Sequence, residues 1–577
     1  MKMSYGFWNK IINPRYLEKK SAILFLTLAS SLAIIFLTMS VPQGLYIDFA
    51  EQMKALEQYL QGYSPSFNHL VEPSPRDLSL DQASWIVVWP PGTQIFAYPL
   101  MISGIKTGVA LRIIAAIFLV LGSLGWLRWF LLFKLPLWVK IFFALMLPWM
   151  RYSSSALFMY SAEILLFCFT PWILLATYKY SGFFMRQDAP ATRVLFTSAL
   201  LGLALGFFYI LKYSSVFISL GALVYLGFLM HYYLKGRGFN IHSYPQIGFI
   251  LAVIFFVLSV VAWNLVNYKL SGYMNMVTVK MGLNLSWKNI LFVLANPALA
   301  IADADSMWRY LLLHPDYGVL KNNPWLIQES SMWLAFIGLP GSLILLWLIS
   351  KSNQIDNLKR LALSVFFTSI VVMFLLWTLS YSFRSYQARY LVVPGITILP
   401  LVIQSGLYLW QRRGWMVRLI LLGAASAYLF IPLLYGSVSV VEKARRTPRD
   451  YAVGPACIYN TLLSNFDIKG VRNKLIQDFI PSEDIWYLPE PVSALDIPGR
   501  AIIGFADFTD CAELRRAEYS SSRPLRVHVL IPDYFEKNMK GPAIRSSFLK
   551  ADGWSKRYIE GCKYVCWTTV LRVSSQK

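Results

Sequence analysis

SAILFLTLASSLAIIFLTMSVPQGLYIDFAEQMKALEQYLQGYSP, residues 21–65, passes from an unbroken apolar run straight into an acidic segment with helical patterning. The run 21–41 is long enough to cross a bilayer as one helix. Lys10, Arg15, Lys19 and Lys20 precede it. A signal peptide would have a shorter core and a small-residue cleavage site, so the run reads as an uncleaved first span. Asp48 then lies a few residues beyond the membrane edge. Over residues 48–63, Phe49, Met53, Leu56, Leu60 and Tyr63 recur at helical spacing and form one apolar stripe, with Asp48 and Glu51 on another face. Such a helix is expected to lie along the interface rather than cross it. Asp48 also reads as an N-cap with Glu51 completing a capping-box-like pair, a role that is compatible with chemistry.

The rest of the chain extends this pattern. Of its 577 residues 56% are hydrophobic and only 14% charged, and mean hydropathy is +0.50, too apolar for a soluble protein to cover its surface. Aromatic residues reach 16%, as expected where rings sit at headgroup level. About eleven spans are expected, near 21–41, 109–133, 136–150, 156–178, 193–211, 213–234, 246–264, 332–350, 361–381, 390–409 and 417–437. The net charge of +23 does not mark a nucleic-acid face, because it gathers in short loops between spans. With the N-terminus inside, Lys134, Lys140, Lys179, Arg186, Lys235, Arg237, Lys351, Lys359, Arg360, Arg412 and Arg413 all fall on the cytoplasmic side.

That topology puts three segments outside: a first loop 42–108, a second loop 265–331, and a tail 438–577 of domain size. The expected division is therefore a transmembrane unit 1–437 and a soluble extracytoplasmic unit 438–577, in a multi-pass protein of the plasma (inner) membrane. Short β-like runs in the tail, AIIGFADF, LRVHVLIP and YVCWTTVLRV, predict a small α/β domain. Four of the five cysteines, Cys457, Cys511, Cys562 and Cys566, lie there, and an even set in an oxidising compartment predicts one or two disulfides of unassigned pairing. Free thiols are the alternative; a zinc site, with only His528 near Cys562 and Cys566, is the weaker one.

No Walker A loop, GxSxG elbow, HExxH or CxxC pair is present, which removes the common ATP-driven, serine-hydrolase and zinc-protease readings. Charged residues at the outer ends of spans remain. Arg151, Lys212, Arg384 and Arg389 fall where the positive-inside rule does not call for them; each alone reads as a snorkelling side chain, while four on one face suggest an anion site. Glu163 lies within a span, with Arg151 the expected partner. Asp303 and Asp305 form a lone D-x-D, expected to be a hydrated loop. Residues 89–122 open with a double proline and a short apolar segment, expected to form a second juxtamembrane helix before a full span.

The order of these landmarks resembles the GT-C glycosyltransferases, in the branch of protein O-mannosyltransferases and lipid A aminoarabinose transferases. The resemblance rests on the acid after the first span, LQGYSP, the PP turn and ALR span, LGLALGFFYILKYSS (201–215) and QARYLVVPGITILPLV (387–402), and covers roughly 20–410. It implies sugar transfer from a polyprenyl-phosphate donor to a hydroxyl acceptor, inverting, with Asp48 as general base. Lys212 and Arg389, then Arg384 and Arg151, would hold the donor phosphate. Glu51, Glu163 and Tyr390 would contact substrate or acceptor. No cofactor is implied, and a divalent metal is left open. The partners implied are the lipid-linked donor, membrane lipid and a protein, lipid or glycan acceptor. Phe49 stands where a second acid is common, and Trp89 where a basic residue or histidine is common. A transporter or lipid flippase, or an inactive GT-C scaffold, are the alternatives.

Overall fold

The computed structural model describes residues 14–39, 44–45, 47–63, 76–80, 90–184, 190–234, 244–271, 287–313, 330–352, 356–379, 388–446, 480, 483–488, 495, 499–503, 511–516, 518–558 and 564–573. Among these, nine helices are long and apolar enough to cross a bilayer: Lys20–Thr38, Thr107–Leu131, Glu163–Gly182, Ala191–Leu211, Tyr213–Tyr232, Tyr244–Lys269, Asn357–Leu379, Arg389–Arg412 and Trp415–Glu442. Each falls on an expected span, and the helix Ser330–Ser350 falls on another. The stretch 136–150 departs from expectation. It is a ten-residue helix, Leu137–Met146, closed by a 3-10 turn at Leu147–Trp149. Ten residues rise only about 15 Å, half a hydrocarbon core. The expected loop 265–331 also holds two helices, Trp287–Ala300 and Ala304–Leu313.

Paired helices approach closely where side chains are small. A Cβ on Gly202 would stand 2.4 Å from the Ala252 carbonyl oxygen, and one on Gly338 2.5 Å from that of Ala295. Helix Ala191–Leu211 therefore meets Tyr244–Ser271, and Trp287–Ala300 meets Ser330–Ser350, almost backbone to backbone. Buried indoles fix the third dimension. Trp126 donates to the Phe167 carbonyl at 2.9 Å and Trp129 to that of Thr397 at 3.0 Å, tying Thr107–Leu131 to two further helices.

Both first-loop helices form, as Ile47–Leu60 and Gly92–Ile102. The first is more enclosed than its stripe suggests: every residue from Gln52 to Gln58 is buried, Lys54 included. Part of its polar side is satisfied internally. Lys54 Nζ lies 3.9 Å from Glu57 Oε2, and Thr107 Oγ1 donates to Glu57 Oε1 at 2.5 Å.

The strands are β1 Gly44–Leu45, β2 Arg76–Asp77, β3 Met159–Tyr160, β4 Asp484–Leu488, β5 Arg500–Ile503, β6 Tyr519–Ser520, β7 Leu525–Pro532, β8 Ser555–Tyr558 and β9 Tyr564–Leu571. Five form one mixed sheet in the order β5-β4-β7-β9-β8, with β4 parallel to β5 and β7, and β9 antiparallel to β7 and β8. The sheet is tied to the first loop. β2 pairs with β6, Leu78 is buried in the sheet's apolar core, and the Gly499 amide donates to Gln61 Oε1 at 3.0 Å. Cys511 and Cys566 are not bonded to each other. The Cys511 thiol donates to the Asn538 carbonyl at 3.7 Å, and Cys457 and Cys562 lie outside the described residues.

A polar network crosses three strands of this sheet. Arg526 donates to both Asp484 oxygens, at 2.7 and 2.5 Å, and His528 Nε2 lies 3.2 Å from Asp484 Oδ2. The carboxylate only accepts, so Nε2 carries the proton and Nδ1 accepts from Thr568 Oγ1 at 3.1 Å. Burial lowers the His528 pKa below its usual value, although Asp484 opposes this. Burial alone would raise Asp484, but hydrogen bonds from Arg526, the Ile480 amide and His528 hold it below the usual carboxylate value. Both groups then bind protons more readily unfolded than folded, so both lose stability as pH falls: His528 from about 6.5 downward, Asp484 below about 3.9. Between pH 7 and 5 the sheet is expected to become steadily more sensitive to limited proteolysis, and His528→Gln to flatten that dependence. An unchanged pH dependence in the variant would rule His528 out as its source.

Candidate functional site

Helices Glu163–Phe184 and Ala191–Leu211 are 22 and 21 residues long and joined by a short connection, so the start of one and the end of the other come level. Glu163 and Lys212 occupy those two ends. Lys212 Nζ lies 3.6 Å from Glu163 Oε1, with side chains 9% and 16% exposed. Lys212 is a single extended residue (φ −156°, ψ 116°) between its helix and the 3-10 turn Tyr213–Ser215, so its stem leaves the chain where two spans join. The expected partner of Glu163, Arg151, is directed elsewhere. It begins the eight-residue helix Arg151–Phe158, whose far end leads through β3 to Glu163, and it acts on Asp303.

The first loop is stitched to this junction at two places. β1 runs parallel to β3, with Leu45 opposite Tyr160, three residues before Glu163. Asp48 follows Leu45 by three residues, which keeps its Cα within about 11 Å of Leu45 Cα. Asp48 is the second residue of its helix rather than a residue ahead of it, a first-turn position that favours an anionic side chain. Glu51 follows on the next turn. The second attachment is the double-proline turn. A Cβ on Gly92 would stand 2.2 Å from the Leu211 carbonyl oxygen and 2.8 Å from Leu165 Cδ1, so only glycine lets this turn rest on the chain directly before Lys212. Thr93 beside it accepts from the buried Tyr160 hydroxyl at 3.4 Å. Gly92→Ala is therefore expected to destabilise the protein by about 1–3 kcal/mol through overpacking. A thermal unfolding midpoint equal to wild type would show that the contact yields.

Arg389, in the 3-10 turn Ala388–Leu391, approaches from a third direction. Its guanidinium donates to the Tyr390 hydroxyl at 3.1 Å, lies 5.0 Å from that ring's centre, and is within electrostatic reach of Glu163. The Lys212–Glu163 pair and Arg389 with its neighbour Tyr390 thus lie within electrostatic reach of one another. Arg384 lies outside the described residues.

Asp303 and Asp305 are not in a hydrated loop: they are 8% and 4% exposed, at the turn between helices Trp287–Ala300 and Ala304–Leu313. Apolar neighbours on both sides in ALAIADADSMW were the signal for burial. Asp303 takes a left-handed backbone (φ 55°) and accepts from Ser306 Oγ at 2.8 Å. Burial raises its pKa to about 6, with Arg151 opposing and Asp305 reinforcing the rise. Tyr152, next to Arg151, was not foreseen. It is buried, and its hydroxyl is in electrostatic reach of Glu163, Asp303, Arg389 and Tyr390. Among the described residues no group of three or more His, Cys, Asp or Glu is placed to hold a metal ion.

Two residues before Asp303, Ile301 borders an apolar cavity of 380 Å³. Phe142, Gly341, Leu399 and Trp410 also line it, as does the π-helical turn Ser426–Phe430, where Tyr428 donates to the Ile337 carbonyl.

No family model matches the sequence, and no curated protein does. Over 95% of its length the chain is similar to the structure of ArnT from Cupriavidus metallidurans bound to undecaprenyl phosphate, covering 97% of that chain at 12% identity with a TM-score of 0.45. The apo state of the same protein is similar over 96% of this chain and 98% of that one, again at 12% identity and a TM-score of 0.45.

Proposed function

We propose that this chain is an integral membrane glycosyltransferase that moves a sugar from a polyprenyl-phosphate donor to a hydroxyl acceptor on the outer face of the membrane. In this reading 1–437 is the catalytic unit, with loops 42–108 and 265–331 outside, and 438–577 is an extracytoplasmic domain of a plasma-membrane protein. The observation that carries it is the ion pair of Lys212 with Glu163, within electrostatic reach of Arg389, with the Asp48 segment stitched to the same junction.

The donor's phosphate lies between Lys212 and Arg389. Lysine supplies a point charge and arginine a forked pair of donors, both fixed before reaction. Glu163 holds the Lys212 ammonium in place. Asp48 takes the proton from the acceptor hydroxyl as its oxygen bonds to the anomeric carbon. The bond from that carbon to the phosphate oxygen breaks, and polyprenyl phosphate leaves with the electron pair, its charge met by the two cations. A single direct displacement inverts the anomeric centre. The reading calls for no metal.

The test is transfer of label in membranes containing the protein, supplied with a panel of radiolabelled polyprenyl-phosphate sugars. Movement of label from one donor into a lipid, protein or glycan fraction, dependent on the protein, supports the reading. A folded protein that moves label from no donor in membranes holding all three acceptor classes would overturn it in favour of a transporter or scaffold.

A further inference from the structure

We infer that the apolar cavity seats one acyl chain of an anionic phospholipid, whose headgroup phosphate is received by Arg412, Arg413 and Arg418 at the cavity's mouth. The cavity holds 380 Å³, within the range of about 300–1,000 Å³ usual for ligand pockets. One wall is the helix Val392–Arg412, which contributes Leu399, Gly406 and Trp410. The first and last of these are about 16 Å apart along the helix axis, close to the hydrocarbon depth of one leaflet. Leu348 on Ser330–Ser350, Leu421 on Trp415–Ala425 and the π-helical turn Ser426–Phe430 bound the other sides. The middle of the first wall is open, since a Cβ on Gly406 would meet nothing within 4 Å. The facing wall is loosely packed: Leu421 is the one buried residue of the eleven in Trp415–Ala425, and the π-helical turn buries none.

Positive charge gathers at one end of this space. Arg418 Nε donates to the Trp410 carbonyl at 2.9 Å, and its guanidinium stands 5.9 Å from the centre of that ring, so the cation rests on a residue of the cavity wall. Arg412 donates to the Tyr408 hydroxyl at 2.7 Å and lies 4.4 Å from the centre of that ring. Both arginines are exposed, as is Arg413. No acid is built into the walls: the helices Leu137–Met146, Ser330–Ser350, Val392–Arg412 and Trp415–Ala425 carry neither Asp nor Glu. Cations at the rim of an apolar slot match a phosphate that carries a hydrocarbon chain. This place is distinct from the Lys212–Glu163 junction. Arg389 begins and Arg412 ends one 24-residue span, which sets them about 35 Å apart. On the orientation expected from the sequence the arginine end faces the cytoplasm, where the leaflet is rich in anionic lipid. A seated chain would brace the helix Trp415–Ala425 against the bundle.

The experiment measures binding of phosphatidylglycerol and of phosphatidylcholine with the same acyl chains to the purified full-length protein in detergent, together with the thermal unfolding midpoint. Wild type is expected to bind phosphatidylglycerol about 10- to 100-fold more tightly and to melt higher in its presence. Arg412→Gln, Arg413→Gln and Arg418→Gln combined are expected to abolish that preference. Gly406→Leu, whose side chain enters the open space, is expected to weaken both lipids about tenfold while melting no lower than wild type without lipid. Undecaprenyl phosphate, titrated alongside, is expected to be indifferent to both changes. Equal affinity of wild type for the two phospholipids would overturn the inference, as would an unchanged preference in the triple variant. Full binding by Gly406→Leu would put the lipid outside the cavity and overturn it too. Undecaprenyl phosphate binding that Gly406→Leu weakens and the triple variant leaves intact would give the cavity to a lipid whose phosphate sits elsewhere, which overturns the inference and leaves the donor reading standing.

Discussion

Asp48→Asn is expected to slow sugar transfer by about 10²–10⁴ while leaving the protein at normal levels in the membrane. The substitution removes the basic oxygen without changing the shape of the side chain. It is also well suited to separate chemistry from helix formation. In the first turn asparagine keeps the shape of aspartate and gives up only its charge, so a residue whose whole purpose was to begin the helix would tolerate the exchange. Only the electrostatic bonus of an anion in the first turn is lost, about 0.3–1 kcal/mol, too little to empty the folded state. The helix is held by much more than its start: Gln52–Gln58 are all buried, Glu57 is bonded to Thr107, and Gln94 Nε2 donates to the Gln52 carbonyl at 2.7 Å. A large loss of label transfer with unchanged expression and melting would therefore assign the base. Transfer at the wild-type rate would remove Asp48 from the chemistry and leave it a helix-start role.

Much of this arrangement was legible in the sequence, and the misses share a cause. Apolar run length located the nine spanning helices, because the hydrocarbon core imposes a minimum length that few other segments meet. The same criterion missed Trp287–Ala300, whose 14 residues are too few to span and which is buried by packing on Ser330–Ser350. Spacing found the helix after the first span but not the burial of its polar side, since Glu57 gains Thr107 as a partner only once 107 has folded back over the helix. The pairing of Glu163 with Arg151 failed because nearness in sequence is not nearness in space. Eight helical residues carry the chain about 12 Å away before it turns. The observed helices show why Lys212 is the partner instead: two antiparallel helices of 22 and 21 residues bring the first residue of one beside the residue that follows the other.

Lys212→Met is expected to reduce transfer by about 10²–10³, the usual effect of removing one fixed charge from a developing anion. It should also destabilise the protein, because Glu163 is then a largely buried carboxylate stripped of its nearest cation, a situation that costs about 3–5 kcal/mol. The two effects have different origins and a double-variant cycle separates them. Glu163→Gln removes the buried charge, so the pair Lys212→Met with Glu163→Gln replaces an ion pair by two neutral groups, which is often close to neutral for stability. The double variant is therefore expected to melt near the wild-type temperature yet remain about 10²–10³ slower in transfer. Recovery of both stability and transfer would mean that Lys212 serves only to neutralise Glu163 and that the phosphate is held elsewhere. Glu163→Gln alone is the internal control. It leaves the ammonium in place but less firmly oriented, so its transfer rate should fall between wild type and the double variant. A rate below that of the double variant would instead put Glu163, rather than Lys212, in direct contact with the reacting groups.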